Sequence, residues 1–192
     1  MLGSCLLASF LLYGYFIHQS VVNVVARQSL ERSLAKRDGA PERLLEPYPE
    51  LSRARGLFVT LRKHGQLRGC IGRIETSEPL SHAISSVALD AALHNARFPP
   101  VSIEELPQLQ VEVSVLTPPT QLSALSELVP GRDGVILEHQ GHTGIFLPQV
   151  WDETGWTREE FLRELASQKA GLPPDAWHQA TLYTFQDQIF EE

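Results

Sequence analysis

The sequence predicts an α+β fold in which a mostly antiparallel sheet is flanked by helices. Helical and strand patterns follow one another without the regular βαβ rhythm that builds a parallel sheet. Two glycine-containing segments have the pattern of β-hairpins, which pair antiparallel strands. The chain has 192 residues with a hydrophobic content of 43%. This is enough for one domain or for two small interlocked lobes.

Apolar residues spaced three and four apart predict helices over residues 21–34 and 80–94, and a third from 157 to about 170. Thr157 and Glu160 have the spacing of a capping box at the start of the third helix, which we expect Gly171 to end. Ser102 and Glu105 have the same spacing and predict a shorter helical turn.

The segment "GLFVTLRKHGQLRGCIG" at residues 56–72 predicts a hairpin. A three-residue loop at 63–65 places Thr60 opposite Arg68 and Phe58 opposite Cys70. The apolar face then carries Leu57, Val59, Leu61, Leu67 and Ile71, and the polar face carries Phe58, Thr60, Arg62, Arg68 and Cys70. A two-residue loop would mix these two faces, so we reject it.

Four further strands are predicted. Residues 109–115 alternate apolar and polar side chains, as in a strand with one buried face. Residues 135–137 and 143–147 flank "EHQGH" and predict a second hairpin. The segment "ATLYTF" at 180–185 predicts the last strand.

Charge and cysteine content narrow the classes of function. The formal net charge is −7, which argues against a nucleic-acid binder, because such proteins cluster lysine and arginine. No Cys/His group has metal-ligand spacing, so we predict neither a metal site nor a cofactor. Two cysteines far apart in the chain do not form a disulfide framework, which favours a reducing compartment.

The first 20 residues form an apolar extension of uncertain role. Its uncharged run, residues 1–17, lacks the basic residues that precede the apolar region of a signal peptide. It is also shorter than the ~20 residues of a membrane-spanning helix. We expect a cytoplasmic protein, while membrane association through residues 1–17 stays an open alternative.

Cys70 is the candidate catalytic residue. Cysteine reacts as the thiolate, and Arg68, two residues away on the predicted strand, is a cation that would favour it. Gly69 and Gly72 leave room for a ligand near backbone amides. The further candidate binding residues are Thr60, Arg97 and Glu112. In the alternative interpretation the thiol is buried and inert, Arg68 pairs with a carboxylate and the glycines serve packing.

No general base is apparent beside Cys70. His64 lies in the predicted hairpin loop, and His82 and His94 belong to the following helix. These histidines reach the cysteine only through tertiary folding, so the sequence leaves the base unassigned.

Six segments together resemble the AmmeMemoRadiSam system protein A family, also called the AMME chromosomal-region domain. They are "RGLFVTL" (55–61), "LRGCIG" (67–72), "ARFPP" (96–100), "VEVSVL" (111–116), "LPQV" (147–150) and "KAGL" (169–172). The resemblance covers residues 21–192 as a domain of two interleaved subdomains. One departure is Asn95-Ala96, where the family usually has Asp-Pro or Asp-Ser before the arginine.

The resemblance implies a two-lobed α+β domain with "LRGCIG" near a cleft. It also implies association with a Memo-like protein and a radical S-adenosylmethionine enzyme, but no settled reaction. The first hypothesis is a Cys-containing enzyme acting on a small anionic or carbonyl substrate. The second is a non-catalytic adaptor that binds the Memo-like protein and the radical enzyme.

Overall fold

The computed structural model describes residues 19–35 and 48–192. The apolar run 1–17, and with it the question of membrane association, lies outside these residues, as does most of the segment between the first helix and the first strand. The chain divides into two compact units. One comprises the described residues up to Leu116 together with Gln188–Glu192, and the other is Thr117–Asp187.

In the described part of the chain, the first unit contains two long helices and a four-stranded sheet of order β2-β1-β3-β8. Its helices are α1 (Gln19–Leu34) and α2 (Leu80–Leu93), with short 3₁₀ turns at Pro49–Ser52 and Leu106–Gln108. Its strands are β1 (Leu57–Lys63), β2 (Gln66–Arg73), β3 (Leu109–Leu116) and β8 (Asp187–Glu191). Strand β1 pairs antiparallel with both β2 and β3.

The core of the first unit lies between the two helices and one face of this sheet. Alternate residues of β1 and β3 are buried there with the apolar stripes of α1 and α2. Arg27 of α1 ties this layer to the sheet, because its guanidinium donates to the carbonyls of Leu106 and Leu109 and pairs with Glu192. Both helices begin and end close to the predicted positions.

The first hairpin differs from its prediction in register. His64 and Gly65 both have positive φ and form a two-residue turn, with Lys63 opposite Gln66. One extra residue, Arg68, then forms a β-bulge, after which Leu61 opposes Gly69. We had rejected this short loop because it would mix the two faces. After the bulge, Cys70 again lies on the face of Thr60 and Ile71 on the face of Val59, so the two faces stay separate although the loop is short. The predicted three-residue loop and its pairing were wrong.

The second unit contains a four-stranded antiparallel sheet of order β4-β7-β5-β6. Its strands are β4 (Thr120–Gln121), β5 (Gly134–His139), β6 (His142–Phe146) and β7 (Thr181–Phe185). Its helices are α3 (Gln149–Thr154) and α4 (Arg158–Glu164), which continues as a π-helix over Leu165–Lys169, with 3₁₀ turns at Leu125–Glu127 and Pro174–Gln179.

Helix α4 has the predicted capping box between Thr157 and Glu160. Trp151 stacks on Phe161 at a centroid distance of 3.7 Å in the core of this unit. Both units together confirm the α+β class. Among the helices of the described residues, none has the length and apolarity needed to cross a membrane.

We had predicted that β7 is the last strand, and this prediction is wrong. The chain continues into β8 beside β3 of the first sheet. Phe190 of β8 is fully buried in the core of the first unit, whereas the neighbouring Ile189 is 39% exposed. A polar strand with one large apolar anchor lacks the alternation by which strands are recognised.

Replacing Phe190 with alanine should lower the free energy of unfolding by about 3–5 kcal/mol, because it leaves a cavity in the core. Ile189→Ala is the matched control and should cost less than ~1 kcal/mol at its exposed position. Urea unfolding followed by circular dichroism measures both. Equal losses in the two variants would show that β8 does not complete the core.

Candidate functional site

Three polar side chains lie in a row across adjacent strands of the first sheet. Thr60 of β1 opposes Cys70 of β2 on one side and Glu112 of β3 on the other. We call these three residues the polar row. They belong to the face opposite the helix-packed core, because Val59 and Leu61, on either side of Thr60, are fully buried in that core. The row joins three of the predicted site residues.

The contacts along the polar row are close. Thr60 Oγ1 lies 3.6 Å from Cys70 Sγ, within hydrogen-bonding range for sulfur. Thr60 is only 9% exposed, and Cys70 is a free, half-buried thiol. Burial raises the pKa of Glu112, and the nearby Glu191 raises it further, while Arg62 and the Thr60 hydroxyl act in the opposite direction.

The Thr60 hydroxyl has one proton and therefore two arrangements. It donates either to the sulfur of Cys70 or to the carboxylate of Glu112. When it donates to Glu112, its oxygen is free to accept from the thiol. The hydroxyl thus links a sulfur and a carboxyl group that do not oppose each other directly, an arrangement suited to passing a proton between them.

Arg68 is bound away from the polar row. Its guanidinium binds Glu105 through two parallel contacts, Nε to Oε1 at 3.1 Å and Nη2 to Oε2 at 2.9 Å. It also donates to the carbonyls of Pro99 and Pro100 at 2.9 and 3.3 Å. The bulge breaks the alternation on which we placed Arg68 beside the thiol. The alternative interpretation, in which Arg68 pairs with a carboxylate, describes these contacts.

Glu105 makes two further interactions beside its pair with Arg68. It binds Lys63 Nζ at 3.0 Å and accepts from the backbone N–H of Ser102 at 3.2 Å, which is half of the predicted capping box. Hydrogen bonds from Arg68 and then Lys63 lower the pKa of Glu105 to about 2. The sequence indicated Glu105 only as a local helix signal, and its role as the partner of Arg68 was missed.

The two glycines beside Cys70 are closely packed. A Cβ added to Gly69 would lie 2.3 Å from the backbone oxygen of Ala91 in α2. A Cβ added to Gly72 would lie 2.0 Å from the ring of Phe58. Gly69 thus allows the hairpin to approach the helix, and Gly72 leaves space for an aromatic ring.

The segment after α2 is bonded to the cysteine strand. Asn95 is buried, donates from Nδ2 to the carbonyl oxygen of Cys70 at 2.8 Å, and accepts from the backbone N–H of Arg97 at 2.9 Å. The side chain of Arg97 is exposed, with its guanidinium carbon 5.7 Å from the centre of the Phe98 ring. From the sequence, Asn95 was noted only because it departs from the family pattern. That departure was the one signal that pointed to this residue.

The remaining candidates lie elsewhere. His64 is in the hairpin turn, His82 is exposed on α2, and His94 binds Asp90 at 3.1 Å. Within residues 19–35 and 48–192, no group of three or more His, Cys, Asp or Glu side chains could hold a metal ion. Glu112 is a titratable group that contacts Thr60 from the side away from Cys70. From the sequence we had named it only as a binding residue.

Comparison with known proteins identifies a family. The model of the AMMECR1 family matches residues 23–190. A protein of Methanothermobacter thermautotrophicus is 45% identical over 177 residues, covering 88% of this chain and 91% of its own. The protein PF1979 of Pyrococcus furiosus is 47% identical over 75% of this chain and 74% of its own.

A solved structure has the same fold. The crystal structure of the uncharacterized protein PH0010 from Pyrococcus horikoshii superposes with a TM-score of 0.80 at 40% identity. The match covers 91% of each chain.

Replacing Glu105 with glutamine should lower the free energy of unfolding by about 1–2 kcal/mol at neutral pH, since it removes charged hydrogen bonds to Arg68 and Lys63. The lowered pKa of Glu105 stabilises the fold above the unfolded value of 4.5, and this contribution is lost as the pH falls toward about 2. Urea unfolding between neutral pH and pH 2 measures it. Glu138→Gln, an exposed position, is the control. An unchanged pH dependence in Glu105→Gln would contradict the assignment.

Alanine at the two glycines should have unequal effects. Gly69→Ala should cost about 3 kcal/mol, because its contact is the rigid backbone of α2. Gly72→Ala should cost about 1 kcal/mol, because the Phe58 ring can turn away. Thermal unfolding of the two variants measures the difference. A larger loss in Gly72→Ala would mean that the Phe58 ring is held more firmly than the helix.

Proposed function

The chain belongs to the AMMECR1 family, and on that basis we propose that it is component A of an AmmeMemoRadiSam-type system whose polar row is a thiol site for a small carbonyl compound. The observation that carries this proposal is the position of Thr60 between Cys70 and Glu112. The sequence offered a cysteine without a base. The polar row supplies a proton acceptor one hydroxyl away.

The raised pKa of Glu112 supports its role as that acceptor. A carboxylate whose burial raises its pKa binds a proton more readily than a solvated one. The pKa then lies closer to that of the group from which the proton comes, which favours general base catalysis. Arg62 Nε lies 3.9 Å from Glu112 Oε2, and its charge opposes this rise of the pKa without cancelling it.

The reaction proposed for this site is addition of the thiol to a carbonyl group. The proton of Cys70 passes to Thr60 Oγ1 while the hydroxyl proton of Thr60 passes to Glu112. Sγ forms a bond with the carbonyl carbon, and the electron pair of the C=O π bond moves to the oxygen. Return of the proton from Glu112 to that oxygen gives a neutral hemithioacetal. This addition needs no oxidant or metal ion.

The charges near Cys70 favour a neutral carbonyl compound over an anionic one. Arg68, the cation expected beside the thiol, is engaged by Glu105. Glu112 of the polar row lies close enough to Glu191 for the two carboxyl groups to repel each other. Arg62 is the cation near these two carboxyl groups. An anionic substrate would therefore meet repulsion.

The alternative function is a non-catalytic adaptor that binds a Memo-like protein and a radical S-adenosylmethionine enzyme. The packing of Gly69 and Gly72 and the ion pair of Arg68 favour it, because they give the family segment "LRGCIG" a structural role. In this case Cys70 is not needed for chemistry, and the complex forms without it.

Removing the Thr60 hydroxyl or the Glu112 carboxylate should slow the reaction of Cys70 with iodoacetamide. Thr60→Val and Glu112→Gln should each lower the rate at neutral pH by about two- to tenfold, the effect of one lost hydrogen bond. Ser114→Ala is the control, because Ser114 is a buried hydroxyl of the same face that opposes Phe58 instead of Thr60. Mass spectrometry of the Cys70 peptide measures the rates.

Two further measurements separate the alternatives. Relative to free cysteine, Cys70 should prefer neutral iodoacetamide over anionic iodoacetate. If the adaptor function is correct, a Cys70→Ser variant should copurify with the Memo-like protein as the wild type does. Wild-type alkylation rates in both Thr60→Val and Glu112→Gln would rule out the thiol site and leave the adaptor function.

A further inference from the structure

Asn95 lies on the outer side of the strand that carries Cys70. Strand β2 is the edge of its sheet, with β1 as its neighbour. In an antiparallel pair, the backbone N–H and C=O of one residue point the same way. The Cys70 carbonyl accepts from Asn95 and therefore points away from β1. Cys70 and Thr60 thus form the closely spaced kind of pair, without backbone hydrogen bonds between them.

The backbone at Cys70 needs support from outside the sheet. The ladder to β1 is interrupted by the bulge two residues earlier, between Gly69 and Leu67. On its outer side Cys70 has no neighbouring strand within residues 19–35 and 48–192. The Asn95 amide supplies the hydrogen bond that a next strand would otherwise supply.

The orientation of the Asn95 side chain is fixed by its second contact. Its Oδ1 accepts from the backbone N–H of Arg97, so the nitrogen end of the amide faces the Cys70 carbonyl. Asn95 is 7% exposed, which removes water as a competing partner. Neither a carboxylate nor an alanine at this position could donate to that carbonyl.

The contact that depends on this support is a long one. Cys70 Sγ and Thr60 Oγ1 are 3.6 Å apart, so a small rotation of the Cys70 backbone would take the sulfur out of hydrogen-bonding range. We infer that Asn95 is a positioning residue that holds Cys70 against Thr60. This inference rests on the thiol site of the proposed function, and it assigns to the segment after α2 control over the reactivity of that site.

The test is a double-mutant cycle between positions 95 and 60, read by the pH profile of Cys70 alkylation with iodoacetamide. Asn95→Asp, which is isosteric and loses the donor when ionised, should slow alkylation at neutral pH by about two- to tenfold. Asn95→Ala should act in the same direction. His94→Ala, the exposed neighbour, should keep the wild-type profile. Thermal unfolding of each variant verifies that it is folded, and Asn95→Asp carries the test if Asn95→Ala does not fold.

The cycle distinguishes positioning from a merely structural role. If Asn95 acts by holding Cys70 against Thr60, its replacement in a Thr60→Val background should have no further effect on the profile. A wild-type profile in Asn95→Asp, or an equal effect with and without the Thr60 hydroxyl, would overturn the inference. The proposed function fails separately, when Thr60→Val and Glu112→Gln alone leave the rate unchanged.

Discussion

The ion pair between Arg68 and Glu105 is the interaction on which the geometry of the candidate site depends. Arg68 is the extra residue of a β-bulge, and its two parallel contacts with Glu105 bind that residue in place. Without the extra residue, every later residue of the strand would face the opposite side of the sheet. Cys70 would then point into the helix-packed core, and Gly69, which needs the close approach to α2, would face outward. The ion pair therefore holds the bulge residue on which the position of the thiol depends.

Much of the local structure could be predicted from the sequence. Helix α2 and the capping box of Thr157 and Glu160 depend on residues a few positions apart, and such signals are visible in the chain. The hairpin was mispredicted because the bulge at Arg68 reverses the change of faces that a two-residue turn produces. The hydrophobic pattern is therefore nearly the same for a two-residue turn with a bulge as for a three-residue loop. Strand β8 was missed because Phe190 is its only large buried anchor.

The partners within the site were less predictable than the residues themselves. Cys70, Thr60 and Glu112 were all named from sequence, but their row depends on the register of three strands. Asn95 and Glu105 lie 25 and 37 residues from the groups they bind in β2. Such contacts follow from tertiary folding, and no local spacing records them. One face of this sheet is therefore determined by apolar packing, and the sequence pattern predicts it. The other face is determined by long-range polar contacts, which the sequence pattern does not predict.

The return of β8 to the first sheet affects the order in which the protein can fold. Residues 117–186 lie between β3 and its neighbour β8, so the pairing of these two strands closes a long loop. The entropic cost of closing that loop arises only when β8 docks. Until β8 docks, β3 has an open edge and the core lacks Phe190. The second unit draws its sheet from its own continuous segment and can form its local contacts first. The first unit, which carries the thiol, is therefore the one exposed to mispairing during folding.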